Sequence, residues 1–158
     1  MKTYVFDTAA FITLGQWPKS IFPGFWKRLD SYAGTLQIVS VHEARRELDQ
    51  KNARQDLKDW IAANKAIFNK PNEDELACVA DVFKQPHFLQ LVGKQQMLGG
   101  MPVADPFVIA AGRVHGHCVV TQEKHKPNAA KIPNVCQHFK VPCIGLEEFC
   151  ASEGWRFD

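Results

Sequence analysis

The feature that most restricts how this chain can fold is an alternation: short β-rich runs lead within a few residues into apolar residues at helical spacing. Lys2-Thr-Tyr-Val-Phe6 runs into Asp7-Thr8, a polar pair suited to capping a helix through Ala9, Ala10, Phe11 and Ile12. Pro18 and Pro23 bracket a loop, and Phe25, Trp26, Leu29 and Tyr32 then recur at helical spacing until Gly34. Leu36-Gln-Ile-Val39 reads as a second strand. Ser40 stands three residues before Glu43, a capping-box pattern that predicts a helix opening at Ser40 and carrying Glu43, Glu47 and Leu48. Two more helical patterns surround Leu57, Trp60 and Ile61, then Leu76, Val79, Ala80 and Phe83. Gly99-Gly100 and Pro102 predict a loop before a helix from roughly Asp105 to His115. Cys118-Val-Val-Thr121 predicts a third strand and Val141 to Ile144 a fourth, ahead of a last helix through Leu146, Phe149 and Cys150.

A parallel crossover needs a connection of helix length, so strands separated by helices imply a parallel sheet covered on both faces. At 158 residues, without internal repeat or linker, residues 1–158 read as a single domain. Ligands of such sheets sit beyond the C-terminal strand ends, where strand order reverses. That rule points to Asp7, Ser40 and Thr121.

Carboxylates gather at those ends. Asp7 follows the first strand, Glu43 and Glu47 the second and Glu123 the third, while Asp105 opens the helix before the third. Glu43 and Glu47 are four residues apart and share one helical face, so spacing alone leaves both as candidates. Converging carboxylates repel each other unless a cation neutralises them, and Mg²⁺ or Mn²⁺ suits an all-oxygen set. Such a metal acidifies bound water and stabilises charge at phosphorus, which points to phosphodiester hydrolysis. Thr121 ends an apolar strand, where its hydroxyl can bond the chain locally or orient a neighbouring carboxylate. Lys124, Lys126 and Lys131, with His125, form the densest basic stretch beside these acids and are candidates for gripping phosphates.

The residues also resemble a known family. Asp7-Thr8 after an N-terminal strand, Glu47-Leu48 in the second-strand helix, Asp105 opening a helix that continues Phe-Val-Ile-Ala-Ala, and Val119-Val-Thr-Gln-Glu123 are similar to the motifs of PIN-domain nucleases. The likeness spans Tyr4 to about Glu148. Ala104-Asp-Pro-Phe-Val-Ile-Ala-Ala and Ile132-Pro-Asn-Val-Cys136 narrow it to a PIN-like bacterial group related to VapC-type toxins. The resemblance implies a three-layer αβα sandwich with a central, mainly parallel sheet of four or five strands. It implies a Mg²⁺- or Mn²⁺-dependent endoribonuclease acting on single-stranded RNA, the toxin of a toxin–antitoxin pair, with an antitoxin partner and a possible homodimer. Asp7, Glu47, Asp105 and Glu123 would be the catalytic and metal-holding acids, with Glu43, Thr8 and Thr121 in support. The Glu-Leu match favours Glu47 over Glu43. Ala9 stands where the family commonly has Asn or Ser, and Glu123 where it has Asp. Two other readings stand beside this one: a catalytically weak module binding RNA or protein, and a nuclease acting on structured DNA.

Other chemistries find less support. The balance of 19 Lys+Arg against 17 Asp+Glu leaves +2, which excludes a broad polycationic nucleic-acid binder. The five cysteines are odd in number and contain no CxxC pair, which suits reduced thiols in a cytoplasm. His115, His117, Cys118, Cys136, His138 and Cys143 match no usual zinc spacing. Asp7 interrupts the apolar N-terminus, and no run approaches the ~18 residues of a membrane span. Neither a Walker loop nor a Gly-x-Ser-x-Gly elbow occurs. Trp26 and Trp60 fit helical core faces, whereas Trp17 and Trp155 are expected in loop or tail, where a ring can stack bases.

Overall fold

The computed structural model describes residues 1–92 and 103–157. Strands β1 (Tyr4–Phe6), β2 (Ile38–Val41), β3 (Phe68–Asn69), β4 (Cys118–Val120) and β5 (Cys143–Ile144) form one sheet in the order β3-β2-β1-β4-β5. Every neighbouring pair is parallel. Successive strand residues face opposite sides. Tyr4, Phe6, Ile38, Cys118 and Val120 accordingly enter one apolar cluster, and Val5 and Val119 enter another.

Each cluster recruits its own helices. Helices α1 (Thr8–Gly15), α2 (Pro23–Gly34), α4 (Gln55–Ala63) and α8 (Leu146–Ser152) cover the first face through Phe11, Trp26, Leu29, Trp60 and Phe149. Helices α5 (Glu73–Phe83), α6 (Asp105–His115) and α7 (Ile132–His138) cover the second through Val82, Val108, Ile109, Ala111 and Val135. Helix α3 (His42–Gln50) divides its apolar residues, Leu48 to the first cluster and Ala44 to the second. The result is a three-layer αβα sandwich. Gly112 brings α6 onto β4, because a Cβ there would meet a Val119 methyl at 2.7 Å. Gly116, at φ 68° in the left-handed region, ends that helix. Among the described residues no helix is long and apolar enough to cross a membrane.

The local expectations need four corrections. Ser40 does not cap α3: it lies inside β2, where its hydroxyl donates to the Phe6 carbonyl at 2.7 Å, and Val41 precedes the helix without a side-chain cap. Pairing with β3 extends β2 past the expected Val39, while exposed Leu36, at φ 58°, stays outside it. β3 itself carries no periodic signal because it is two residues long. Trp155 is buried among Phe25, Tyr32 and Phe149, and Trp17 packs edge-on against Phe25 at 4.9 Å, so neither is a free stacking platform. The loop expected at Gly99, Gly100 and Pro102 lies outside the described residues.

Candidate functional site

The strand order reverses beside β1: the chain moves outward from β1 to β2 and β3, then returns to add β4 and β5 on the other side. The crevice between the C-terminal ends of β1 and β4 is therefore the switch point at which ligands of open parallel sheets bind. Asp7 leaves β1 and Thr121 leaves β4 at this position, since Phe6 pairs with Val120 immediately before them.

Asp7 performs two tasks with its two oxygens. Oδ1 caps α1 by accepting from the Ala10 amide at 2.7 Å, and Oδ2 accepts from the Thr121 hydroxyl. The Thr121 oxygen in turn accepts the Glu123 amide at 3.1 Å, so both readings of Thr121 hold, local bond and carboxylate orientation. Glu123 Oε2 accepts the Ile132 amide at 2.9 Å, which anchors the start of α7. From α3, Glu47 Oε1 accepts the Thr8 hydroxyl at 2.6 Å and Oε2 accepts the Ala104 amide at 3.1 Å. Glu47 thereby ties the helix after β1 to the entry of α6. Asp105 occupies the first position of α6 rather than the cap, which is Ala104, and Pro106 follows it. Among the described residues nothing donates a hydrogen bond to the Asp105 carboxylate.

These four acids share one electrostatic environment. Burial pushes Asp7 up to about 7, and Glu123 and Glu47 push the same way against the opposing Thr121 and Ala10 hydrogen bonds. Asp105 rises to about 8, first from burial and then from Glu123, Glu47 and Asp7, with Lys131 pulling it back. The donor set is wholly carboxylate, the chemistry a hard divalent cation prefers. Each carboxylate oxygen has two lone pairs, so one hydrogen bond at each oxygen of Asp7 and Glu47 leaves acceptor capacity there. Among the described residues no three His, Cys, Asp or Glu side chains form a ready-made metal cage. Asp7, Glu47 and Glu123 are instead each tied to their own neighbours, and Asp105 and the remaining oxygen of Glu123 are the least committed donors.

Structure separates Glu43 from Glu47. Glu43 turns to Arg46 on its own helix at 3.1 Å and makes no hydrogen bond to the cluster. Lys131 precedes α7 and acts on Asp105. Exposed Lys124 lines a cleft of about 380 Å³ with Glu123, His125, Gly145 and Glu148. Lys126 is exposed, and the Asn134 side chain holds its backbone amide and carbonyl at 3.3 and 2.7 Å. The soft-ligand set does not assemble, because Cys118 and Cys136 are buried on opposite faces of the sheet. The Ala104 and Ile132 amides, which fix Glu47 and Glu123, escaped the sequence reading; a backbone donor leaves no mark in residue type.

Fold and site together define an α/β protein with an acidic cluster at the switch point of a parallel sheet. The chain belongs to the family described as a domain of unknown function (DUF4411), whose model matches residues 4–157. No curated protein matches it.

Proposed function

We propose that this protein is a PIN-like, Mg²⁺- or Mn²⁺-dependent endoribonuclease that hydrolyses single-stranded RNA. The observation that carries the reading is the convergence of Asp7, Glu47, Asp105 and Glu123 on the ends of β1 and β4, where burial and mutual repulsion raise Asp7 and Asp105. Such a set is poorly stabilised by its own donors and favours a divalent cation as counter-charge. A bound Mg²⁺ or Mn²⁺ would supply a water of lowered pKa and charge stabilisation at the phosphate. The chain's own residues supply position: Thr121 orients Asp7, Thr8 and Ala104 orient Glu47, and Ile132 orients Glu123. Lys131 and Lys124 would hold the phosphates of the incoming strand.

The resemblance to VapC-type toxins extends the proposal to the toxin of a toxin–antitoxin pair, acting in the cytoplasm, with an antitoxin that covers the acids. Co-purification of a small partner protein with the tagged chain tests that extension. Incubating wild type, Asp7→Asn and Asp105→Asn with single-stranded RNA and Mn²⁺ tests the chemistry. Cleavage by wild type alone is expected, and equal cleavage by all three would sink the assignment. A matched DNA strand in the same assay decides between RNA and DNA. A second reading, a catalytically weak module that binds RNA or protein, draws support from the lack of a three-ligand cage among the described residues. A folded chain that retains RNA without cutting it would establish that reading.

A further inference from the structure

Among the described residues three clefts carry carboxylates: one holds Glu123 and Glu148 beside Lys124, one Glu75, and one Asp30, Asp56 and Asp59. A fourth, of about 580 Å³, is built differently. It is lined by His87, Phe88, Asn128, Asn134, Gln137 and His138, with no acid among them. Phe88 is a fixed wall, 7% exposed. His138 meets it edge-on at 5.1 Å between centroids, and His87 lies tilted at 5.9 Å. The Asn134 amide is spent on the Lys126 backbone. The Asn128 and Gln137 amides are exposed and bond no described residue, so each offers a donor and an acceptor to a ligand.

Rings together with uncommitted amides are what proteins use to hold an unstacked base: π-faces for its plane, and paired donor and acceptor for its edge. The position suits the same strand that the acids would cut. Helix α7 begins at Lys131, which acts on Asp105, and at Ile132, which binds Glu123. The helix ends at His138, in the wall of the cavity. Its seven residues span ~10 Å at 1.5 Å each, and the cavity runs along it from Asn134 in the first turn to His138 at the end. Resting on the nuclease reading, we infer that this cavity is a subsite for an unpaired nucleobase of the RNA strand, on the helix whose start holds the acids.

The test uses the full chain carrying Asp105→Asn, to stop cleavage, and a fluorescein-labelled single-stranded RNA beside the same strand with abasic internal positions. Anisotropy should show the base-bearing strand binding about tenfold tighter than the abasic one. Adding His138→Ala and Gln137→Ala should reduce that preference below about twofold. Both positions are exposed, so an unchanged thermal midpoint is expected and confirms folding. Equal binding of the two strands, or a preference that survives the substitutions, overturns the inference. Wild-type cleavage with Mn²⁺, measured in parallel, distinguishes the failures. Cleavage without base preference removes the subsite and leaves the nuclease; base preference without cleavage keeps the subsite as a binding site and removes the nuclease. A chain that binds neither strand overturns both.

Discussion

Two carboxylate sites of this molecule differ in how their acids are met by donors. Glu153, after α8, is gripped by two phenols, Tyr4 at 2.6 Å and Tyr32 at 2.7 Å. Burial and the neighbouring carboxylate hold both phenols above their ordinary range, so both stay protonated and donate. At the switch point, four acids share the Thr8 and Thr121 hydroxyls and a few backbone amides, and Asp7 and Asp105 rise to about 7 and 8. The first site gives each carboxylate oxygen its own donor and ties the segment after α8 to β1 and α2. At the second, burial and the neighbouring acids disfavour the charged forms of Asp7 and Asp105, a cost that a bound cation would relieve.

The contrast breaks most visibly by truncation. Glu47→Ala should lower RNA cleavage by about 100-fold or more, because it removes a proposed metal-holding acid. It should also cost about 1–3 kcal/mol in urea unfolding, because Thr8 and Ala104 lose their acceptor. Glu153→Ala should cost a similar 1–3 kcal/mol by orphaning buried Tyr4, yet leave cleavage per folded molecule within about twofold. Loss of cleavage in the second variant would erase the distinction between the sites.

A pH series sharpens the same comparison. Asp7 and Asp105 have folded values raised above the ordinary 3.8, so the folded, metal-free chain binds protons more tightly than the unfolded one. The stability they contribute is complete below about pH 4 and is lost as pH rises through about 7 to 8. Thermal melts in chelator should therefore show Asp105→Asn more stable than wild type at pH 8.5, with the gap closing toward pH 4.5. The smallest effect belongs to Glu43. Among the described residues it pairs only with exposed Arg46, so Glu43→Ala should change stability by no more than about 0.5 kcal/mol and leave cleavage unaltered. A large loss of cleavage there would return Glu43 to the acidic set.

Strands β1, β2, β4 and β5 were legible because each is a short apolar run bounded by polar or helix-starting residues, and β3 was not because two residues hold no period. Asp7 could be read as both cap and strand-end acid, and it is both. Ser40 misled because a capping-box pattern fits equally a serine whose hydroxyl serves another strand's carbonyl. The choice between Glu43 and Glu47 lay beyond spacing. Glu47 reaches the cluster through partners 39 and 57 residues away, Thr8 and Ala104, which only the tertiary structure supplies. Trp155 lies near the C-terminal end of the sequence, but Phe25, Tyr32 and Phe149 close over it.

Calorimetric titration of Mn²⁺ into the wild-type chain and Asp105→Asn at pH 8 tests most directly whether the acidic cluster at the switch point holds a cation. Saturable binding to wild type that is lost in Asp105→Asn is the expected result. Absence of binding to wild type at millimolar Mn²⁺, or equal binding by both chains, would contradict it.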